Sequence, residues 1–376
     1  MTWNVPLSDL QFDDAELQAV QSVVTSKWLT MGACSQQFEQ EFAAFCGAKY
    51  AFGVTNCTAG LHLACLAAGI GPGDEVIVPS LSFVATANAV RYVGAVPVFA
   101  DICSQQDLTI SPASIEASIT PKTKAIMVMH YAGYPCDMPA IQAIADRHHL
   151  IILEDAAHAA GTYLDGRHMG TWGLVGAFSF FSNKNLAVGE GGMVVTDDPQ
   201  AAEKLRLLRS HGMTSLTWDR HKGHAFSYDV VELGYNYRID EIRSAMGIAQ
   251  LHKLAQGNQR RRDIAQQYRS ALQEAVPQIT IPFETHPGIS SGHIFPILLP
   301  RGMNRQVFME KMKAEGIQTS IHYPPIHLFQ AHRSNEPLDL GITEEIASRE
   351  VTLPLYPSLS DEQINAVVCA VVKSVA

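Results

Sequence analysis

The sequence lacks any paired cysteine motif. It contains no Cys-x-x-Cys pair, and no histidine stands at metal-binding spacing from a cysteine. The seven cysteines are scattered along the 376 residues: Cys34, Cys46, Cys57, Cys65, Cys103, Cys136 and Cys369. An odd, scattered set is typical of reduced thiols and not of a disulfide framework. We therefore expect a cytoplasmic protein without a metal site.

Long apolar runs and positive charge are also scarce. No window reaches the roughly 18 uninterrupted apolar residues that a membrane span requires, and residues 1–7 do not resemble a signal peptide. Lys and Arg number 27 against 37 Asp and Glu, which gives a formal net charge of −10. We therefore expect no nucleic acid or membrane partner, although a few local cations could bind an anionic small molecule.

What the sequence does contain is a large apolar fraction in alternating strand and helix patterns. Hydrophobic residues make up 47% of the chain, which is enough for a sizeable core. Short β-rich runs alternate with helical patterns over residues 50–196. This alternation predicts an α/β fold with a mostly parallel central sheet flanked by helices.

The last third of the chain has a different pattern. A long helix is predicted over 240–272, and the tail then mixes short strands, at 278–282 and 317–322 among others, with helices. We therefore predict a large α/β domain over 1–255 and a smaller C-terminal α+β domain over 256–376.

Three segments follow the predicted ends of strands in the large domain. A polar turn follows Thr55, Asp155 ends a strongly apolar strand, and Lys184 follows an aromatic strand predicted over 177–181. Ligands of parallel sheets bind beyond the carboxyl ends of the strands. The three segments are therefore predicted to meet in one crevice.

Each segment has a chemical interpretation and a structural one. The turn at 56–60 precedes a helix predicted over 61–68, so its N–H groups suit a phosphate, although an ordinary helix cap gives the same pattern. Lys184 lies in a glycine-rich stretch where burial would lower the pKa of its amine and free a nucleophile; alternatively it is a solvated loop lysine. Asp155 could simply cap the following helix.

Taken together, the three segments suggest pyridoxal 5′-phosphate (PLP). Lys184 would supply the amine for a Schiff base, and Asp155 would keep the pyridine nitrogen protonated. Phe83 is the candidate for the face of the ring, with plain core packing as the alternative. The expected phosphate donors are Thr58, Ala59 and Ser179.

Four motifs then carry a resemblance. They are Glu-Asp-Ala-Ala-His at 154–158, Phe-Ser-Phe-Phe-Ser-Asn-Lys-Asn at 178–185, Gly-Glu-Gly-Gly at 189–192 and Gly-Tyr-Asn-Tyr-Arg at 234–238. With them the chain resembles the DegT-type sugar aminotransferases from about residue 17 to residue 357. These are PLP enzymes of fold type I, and the resemblance implies that fold here.

The resemblance also implies roles for individual residues. Lys184 would form the Schiff base, Asp155 would contact the pyridine nitrogen, and His158, where many members have glutamine, would contact the ring hydroxyl. The phosphate would be held by Thr58, Ala59 and Ser179. Relatives often have glycine where this chain has Cys57, so the local backbone is expected to differ.

Three more positions are implied by the resemblance alone. Asn236 would reach the phosphate of the second subunit, which implies a homodimer with shared active sites. Thr30 and His322 match positions that line the sugar pocket of relatives. For both of these residues a packing role is an equal alternative.

The implied reaction moves an amino group from L-glutamate to a keto-sugar nucleotide, with the pyridoxamine form of the cofactor between the two stages. Cations in a loop predicted over 210–229 are candidates for the nucleotide diphosphate: Arg220, His221, Lys222 and His224. Two alternatives stay open, namely a non-nucleotide ketone such as a cyclitol or an aminoshikimate-type precursor, and a cofactor-binding regulatory protein without turnover. A dehydratase branch of the family has histidine in place of the lysine, so Lys184 argues against that chemistry.

Overall fold

The structure, a computed structural model, describes residues 3–215, 227–333 and 338–375. The four loop cations predicted to bind a diphosphate, Arg220, His221, Lys222 and His224, lie outside the described residues.

The central element of the fold is a β-sheet. The three predicted segments, at Thr55, Asp155 and Lys184, meet at its carboxyl edge. The strands of the first 196 residues are β1 (Tyr50–Val54), β2 (Glu75–Pro79), β3 (Val96–Ala100), β4 (Thr123–Met129), β5 (Ile151–Asp155), β6 (Tyr163–Leu164), β7 (Arg167–His168), β8 (Val175–Ser179) and β9 (Gly192–Thr196). Among the described residues, seven of them form one sheet in the order β1-β9-β8-β5-β4-β2-β3. The β6–β7 hairpin stands apart.

The sheet is mostly parallel, as predicted. Strands β3, β2, β4, β5 and β8 pair in parallel, whereas β9 pairs antiparallel with both β8 and β1. Successive residues of the central strands enter opposite cores: Ile77 and Ile126 pack on one face, and Val76 and Met127 pack on the other. Strands that are apolar on both faces are typical of a sheet covered by helices on each side.

The helices flank this sheet and continue into the C-terminal part. They are α1 (Asp14–Ser26), α2 (Ala33–Cys46), α3 (Cys57–Ala67), α4 (Ala85–Tyr92), α5 (Pro112–Ala117), α6 (Met138–His148), α7 (Pro199–Leu208), α8 (Glu241–Ala275), α9 (Arg305–Ala314), α10 (Gly341–Arg349) and α11 (Asp361–Val375). In the described ranges, none of the helices combines the length and the apolar character that crossing a membrane would require.

Helix α3 begins earlier than the predicted position 61. The Asn56 side chain accepts a hydrogen bond from the Ala59 backbone N–H at 2.8 Å, so Asn56 is the N-cap and Cys57 the first helical residue. The polar turn predicted over 56–60 is therefore the first turn of the helix. This places the start of the helix directly at the end of β1.

The C-terminal part contains a separate apolar core built around Tyr268, Phe295 and Phe308. Its strands differ from the prediction. Residues 278–282 and 317–322 form only isolated bridges, and the strand partner of β10 (Phe295–Leu298) is β11 (Glu350–Leu353). The strand β11 was not predicted. The proposed domain boundary at 255 falls inside α8 and stays a prediction.

Candidate active site

A cavity of about 700 Å³ opens at the carboxyl edge of the sheet. The predicted site residues that line it are Thr58, Phe83, Asp155, His158, Ser179, Lys184 and His322. Most come from the ends of β5 and β8, the start of α3 and the loops after β5 and β8, whereas Phe83 lies between β2 and α4, and His322 lies in the C-terminal part. The volume is within the range of about 300–1,000 Å³ that is usual for small-molecule sites.

Lys184 follows β8, which ends at Ser179 and not at the predicted residue 181. Burial lowers the pKa of Lys184 to about 8, although Asp155 and Cys57 favour the charged form. Its Nζ lies 3.4 Å from Nε2 of His293, a residue that sequence reasoning missed. An amine with this pKa is partly unprotonated near neutral pH and can act as a nucleophile or as a base.

Asp155 is 3% exposed at the end of β5. Its carboxylate accepts hydrogen bonds from Thr86 Oγ1 at 2.7 Å and from the Ala157 backbone N–H at 3.1 Å. Burial raises the pKa of Asp155, and these two hydrogen bonds together with Lys184 oppose that rise. The donors therefore help to keep a buried negative charge facing the cavity.

His158 has one ring nitrogen to spare. Its Nε2 lies 3.0 Å from the Tyr323 hydroxyl, whereas its Nδ1 is buried and has no hydrogen-bond partner among the described residues. Burial and the nearby charges of Lys184 and His322 hold the pKa of His158 well below its usual range, so the ring is neutral at pH 7. A buried nitrogen left without a partner is suited to a polar group of a ligand.

The start of α3 presents backbone N–H groups at the cavity. An α-helix leaves its first N–H groups, here those of Cys57 and Thr58, without partners inside the helix. The close approach of β9 requires glycine, because a Cβ at Gly192 would lie 2.7 Å from the Asn56 backbone carbon and 2.8 Å from the Cys57 backbone nitrogen. The predicted donor Ala59 does not line the cavity, and its N–H is already bonded to Asn56.

Phe83 does not belong to the core. Its side chain is 55% exposed and lines the cavity, with its ring centroid 5.8 Å from that of Tyr323. Ala157 lines the same cavity. The exposure of Phe83 excludes the alternative of plain core packing. Its side chain is therefore available to cover the face of a flat ring.

Thr30 and Asn236 are exposed and are not among the residues that line this cavity. Asn236 forms a single antiparallel bridge with Ser210. One chain by itself therefore does not bring either residue to the site. Their predicted roles stay predictions that require a second subunit or a bound substrate.

The residues present fit PLP. An amine, a buried carboxylate, an imidazole nitrogen without a partner and a helix start surround one cavity, which matches the aldehyde, ring nitrogen, hydroxyl and phosphate of that cofactor. The fold and the site together define the class of α/β enzymes that carry out amine chemistry at the carboxyl edge of a parallel sheet. Comparison with known proteins then gives the family.

The chain belongs to the DegT/DnrJ/EryC1/StrS aminotransferase family, whose sequence profile matches residues 11–372. The spore coat polysaccharide biosynthesis protein SpsC of Bacillus subtilis (strain 168) is 42% identical over 364 residues, covering 95% of this chain and 93% of that protein. The predicted enzyme class, a sugar aminotransferase, is confirmed.

Solved structures agree on the fold. Helicobacter pylori PseC, an aminotransferase involved in the biosynthesis of pseudoaminic acid, superposes with a TM-score of 0.90 at 31% identity over 98% of both chains. The PLP form of Spr1654 from Streptococcus pneumoniae superposes with a TM-score of 0.91 at 26% identity over 99% of both chains. The predicted fold, an α/β transferase of fold type I, is confirmed, and the family together with the PLP-form neighbour implies PLP as the cofactor.

Proposed function

We propose that this protein uses PLP and Lys184 to transfer an amino group from L-glutamate to a keto-sugar nucleotide. The observation that carries the proposal is the Lys184 amine, whose pKa is lowered by burial to about 8 and which shares a cavity with the buried Asp155. A protein that merely held the cofactor would not need an amine able to exchange protons near neutral pH.

The residues of the chain would divide the work. When bound, PLP supplies an aldehyde and an electron-withdrawing ring that makes a neighbouring C–H bond acidic. Asp155 would hold the proton on the ring nitrogen, and the neutral His158 would contact the ring hydroxyl through Nδ1. Lys184 would hold the cofactor and move the proton of the substrate carbon in each half of the reaction. Positioned acid–base catalysis of this kind is worth about 10²–10⁴-fold in rate.

A sugar substrate is supported by the relatives and by the room available. SpsC is described as a protein of polysaccharide biosynthesis, and PseC acts in the biosynthesis of pseudoaminic acid. The cavity of about 700 Å³ reaches from the start of α3 to His322. We infer that the phosphate end of the cofactor lies at α3 and that the sugar lies towards His322.

A homodimer in the cytoplasm is also part of the proposal. Large apolar side chains are exposed just before Asn236, among them Val230, Val231 and Leu233, and Leu233 is 84% exposed. A patch of this kind commonly marks a protein interface. A second copy covering it would place Asn236 at the boundary between subunits, as the shared-site prediction requires.

The test is a two-stage assay of the purified, PLP-loaded protein. We expect L-glutamate alone to convert the cofactor to its amino form, seen as a change in the absorption spectrum, with one equivalent of 2-oxoglutarate released. Keto-sugar nucleotides with the ketone at C3 or C4 should then restore the spectrum. Borohydride trapping should tag the peptide that contains Lys184.

The same assay separates the alternatives. Restoration of the spectrum by keto-cyclitols and not by keto-sugar nucleotides would assign the non-nucleotide substrate. A protein that binds PLP but does not react with glutamate or any other amino donor would contradict the proposal.

A further inference from the structure

Behind His322 lies a short chain of buried hydrogen bonds. Thr352 Oγ1 lies 2.8 Å from His322 Nδ1 and 2.6 Å from Glu350 Oε1. The other carboxylate oxygen of Glu350 accepts the His322 backbone N–H at 2.8 Å. Exposure is 7% for His322, 0% for Thr352 and 1% for Glu350. These three residues are called the His322 relay below.

The relay fixes which ring nitrogen of His322 carries the proton. If Glu350 is ionised, it can only accept, so the Thr352 hydroxyl donates to it and must accept from His322 Nδ1–H. Nε2 then presents a lone pair. If Glu350 is protonated, the direction reverses: Glu350 donates to Thr352, Thr352 donates to Nδ1, and Nε2 carries the hydrogen.

The Nε2 atom is the end of the relay that is left for a ligand, because Nδ1 is bonded to Thr352. His322 lines the large cavity together with Lys184, and no described residue hydrogen-bonds its Nε2. The ionisation state of Glu350 therefore decides whether the cavity meets an acceptor or a donor at this position. A carbonyl oxygen needs a donor there.

We propose that Glu350 and Thr352 are positioning residues that set the tautomer of His322 and pass a proton through it to the carbonyl oxygen of the keto substrate. The inference rests on the proposed amino transfer to a ketone, because that oxygen must leave as water. It adds a second proton source to the site besides Lys184.

The proton transfer balances. The O–H bond of Glu350 breaks as one forms on Thr352, and the original Thr352 O–H breaks as an N–H forms at Nδ1. The Nε2–H bond then breaks as an O–H forms on the substrate oxygen. Glu350 ends as a carboxylate, and the water consumed when the other half of the reaction forms its keto product returns the proton by the same route.

The ionisation of Glu350 falls in a useful range. Burial raises the pKa of Glu350 to about 8, while hydrogen bonds from Thr352 and the His322 N–H and the charge of Arg305 on α9 oppose that rise. Burial and Lys184 lower the pKa of His322 to about 4, so the ring is neutral in both states of the relay. The other titratable groups that face the relay are the Tyr131 and Tyr323 phenols, near Glu350, and the neutral His158 and His293 rings, near His322.

The first test follows the tautomer in the full-length protein without any substrate. We expect ¹⁵N NMR of histidine-labelled protein to show His322 as Nδ1–H above pH 8 and as Nε2–H below it. Glu350→Gln should hold Nε2–H at every pH, since its amide donates to Thr352. Thr352→Val should abolish the change, and Thr352→Ser should retain it. A His322 signal that does not change with pH in the wild type would overturn the relay.

The second test follows turnover with a ketone that the panel identifies. In the wild type, kcat should decrease above pH 8, where Glu350 loses its proton. Glu350→Gln and Thr352→Val should lower kcat about 100-fold and remove that decrease, in line with the loss of one acid catalyst. Thr352→Ser should keep that decrease. The matched control is Thr343→Val. It deletes another buried threonine hydroxyl, which donates a hydrogen bond of 2.6 Å to Asp101 Oδ1. Thr343 does not line the cavity.

The outcomes separate the two proposals. Variant pH profiles that match the wild type would overturn proton delivery through the relay, and a decrease in Thr343→Val as large as in Thr352→Val would show a purely structural effect. If every ketone is inert but the tautomer change is present, the proposed function and the proton delivery to a ketone both fail, whereas the control of the His322 tautomer by Glu350 and Thr352 stands.

Discussion

Glu154 and Asp155 are neighbours on β5, and both are buried, yet they differ in their hydrogen bonds and in their contact with the cavity. Glu154 accepts hydrogen bonds from Gly170 N–H and Gly173 N–H, both at 2.6 Å, and lies 3.0 Å from His130 Nε2. It does not line the cavity. Its two oxygens are bonded by three groups of the protein.

Asp155, on the opposite face of the same strand, is left incomplete. It has Thr86 and Ala157 as donors and otherwise opens onto the cavity that holds Lys184. The difference teaches that burial alone does not identify a functional acid. A buried carboxylate whose hydrogen bonds are complete stabilises the fold, whereas one that is exposed to a cavity is available for a ligand.

The largest effect on activity is expected at Lys184, which shares the cavity with Asp155. Lys184→Ala should lower amino transfer by at least about 10⁴-fold, because it removes both the attachment of the cofactor and the base that moves the proton. Turnover and borohydride trapping are the measurements. Lys184→Arg is the matched control for charge, and substantial turnover in either variant would remove the lysine from the mechanism.

Replacing each of the two acids by its amide should have different consequences. Asp155→Asn should lower kcat by about 10²–10³-fold, the usual effect of losing one preorganised electrostatic contact, with the folding free energy kept. Glu154→Gln should instead lower the free energy of unfolding by about 3 kcal/mol, because its amide would place N–H hydrogens against the buried donors that now bond the carboxyl group. Urea unfolding and steady-state kinetics on both variants are the measurements.

The comparison between the two acids fails if the effects are not separated. Equal losses of stability in both variants would mean that Asp155 is as structural as Glu154. A Glu154→Gln protein that is stable but inactive would place Glu154 in the chemistry.

Sequence reasoning identified Asp155 as a cavity residue and missed the residues that hydrogen-bond to Asp155 and Lys184. An apolar run that ends in an acid, and a small polar turn before a helix, are local patterns, so Asp155 and Thr58 could be predicted. Thr86 and His293 could not, because their partners, Asp155 and Lys184, lie 69 and 109 residues away in the chain. No local pattern reports such a contact.

The same limit applies to the fold. The large sheet was predictable because strands buried on both faces give continuous apolar runs. The strand β11 was not, because Glu350 and Thr352, which belong to the buried His322 relay, interrupt the continuous apolar pattern of a buried strand. The residues that conceal the strand are the ones that carry the further proposal.

The smallest effect concerns the stability of the cofactor-free protein as a function of pH. Its folded Lys184 has a pKa of about 8 against 10.5 in the unfolded chain. Between these values the unfolded lysine binds more protons than the folded one, so the contribution of Lys184 to stability rises with pH from 8 to 10.5, whereas below 8 the full penalty of burying the ammonium applies. The rise is at most about 3 kcal/mol.

Lys184→Met isolates this contribution, because the other groups that titrate in the same window are common to both proteins. We expect the difference in unfolding free energy between Lys184→Met and the wild type to be largest below pH 8 and to shrink towards pH 10.5. A constant difference would mean that the amine is solvated in the folded protein. In that case Lys184 would be an ordinary loop lysine. The contrast between Asp155, which lines the cavity, and Glu154, which does not, would then no longer explain the site.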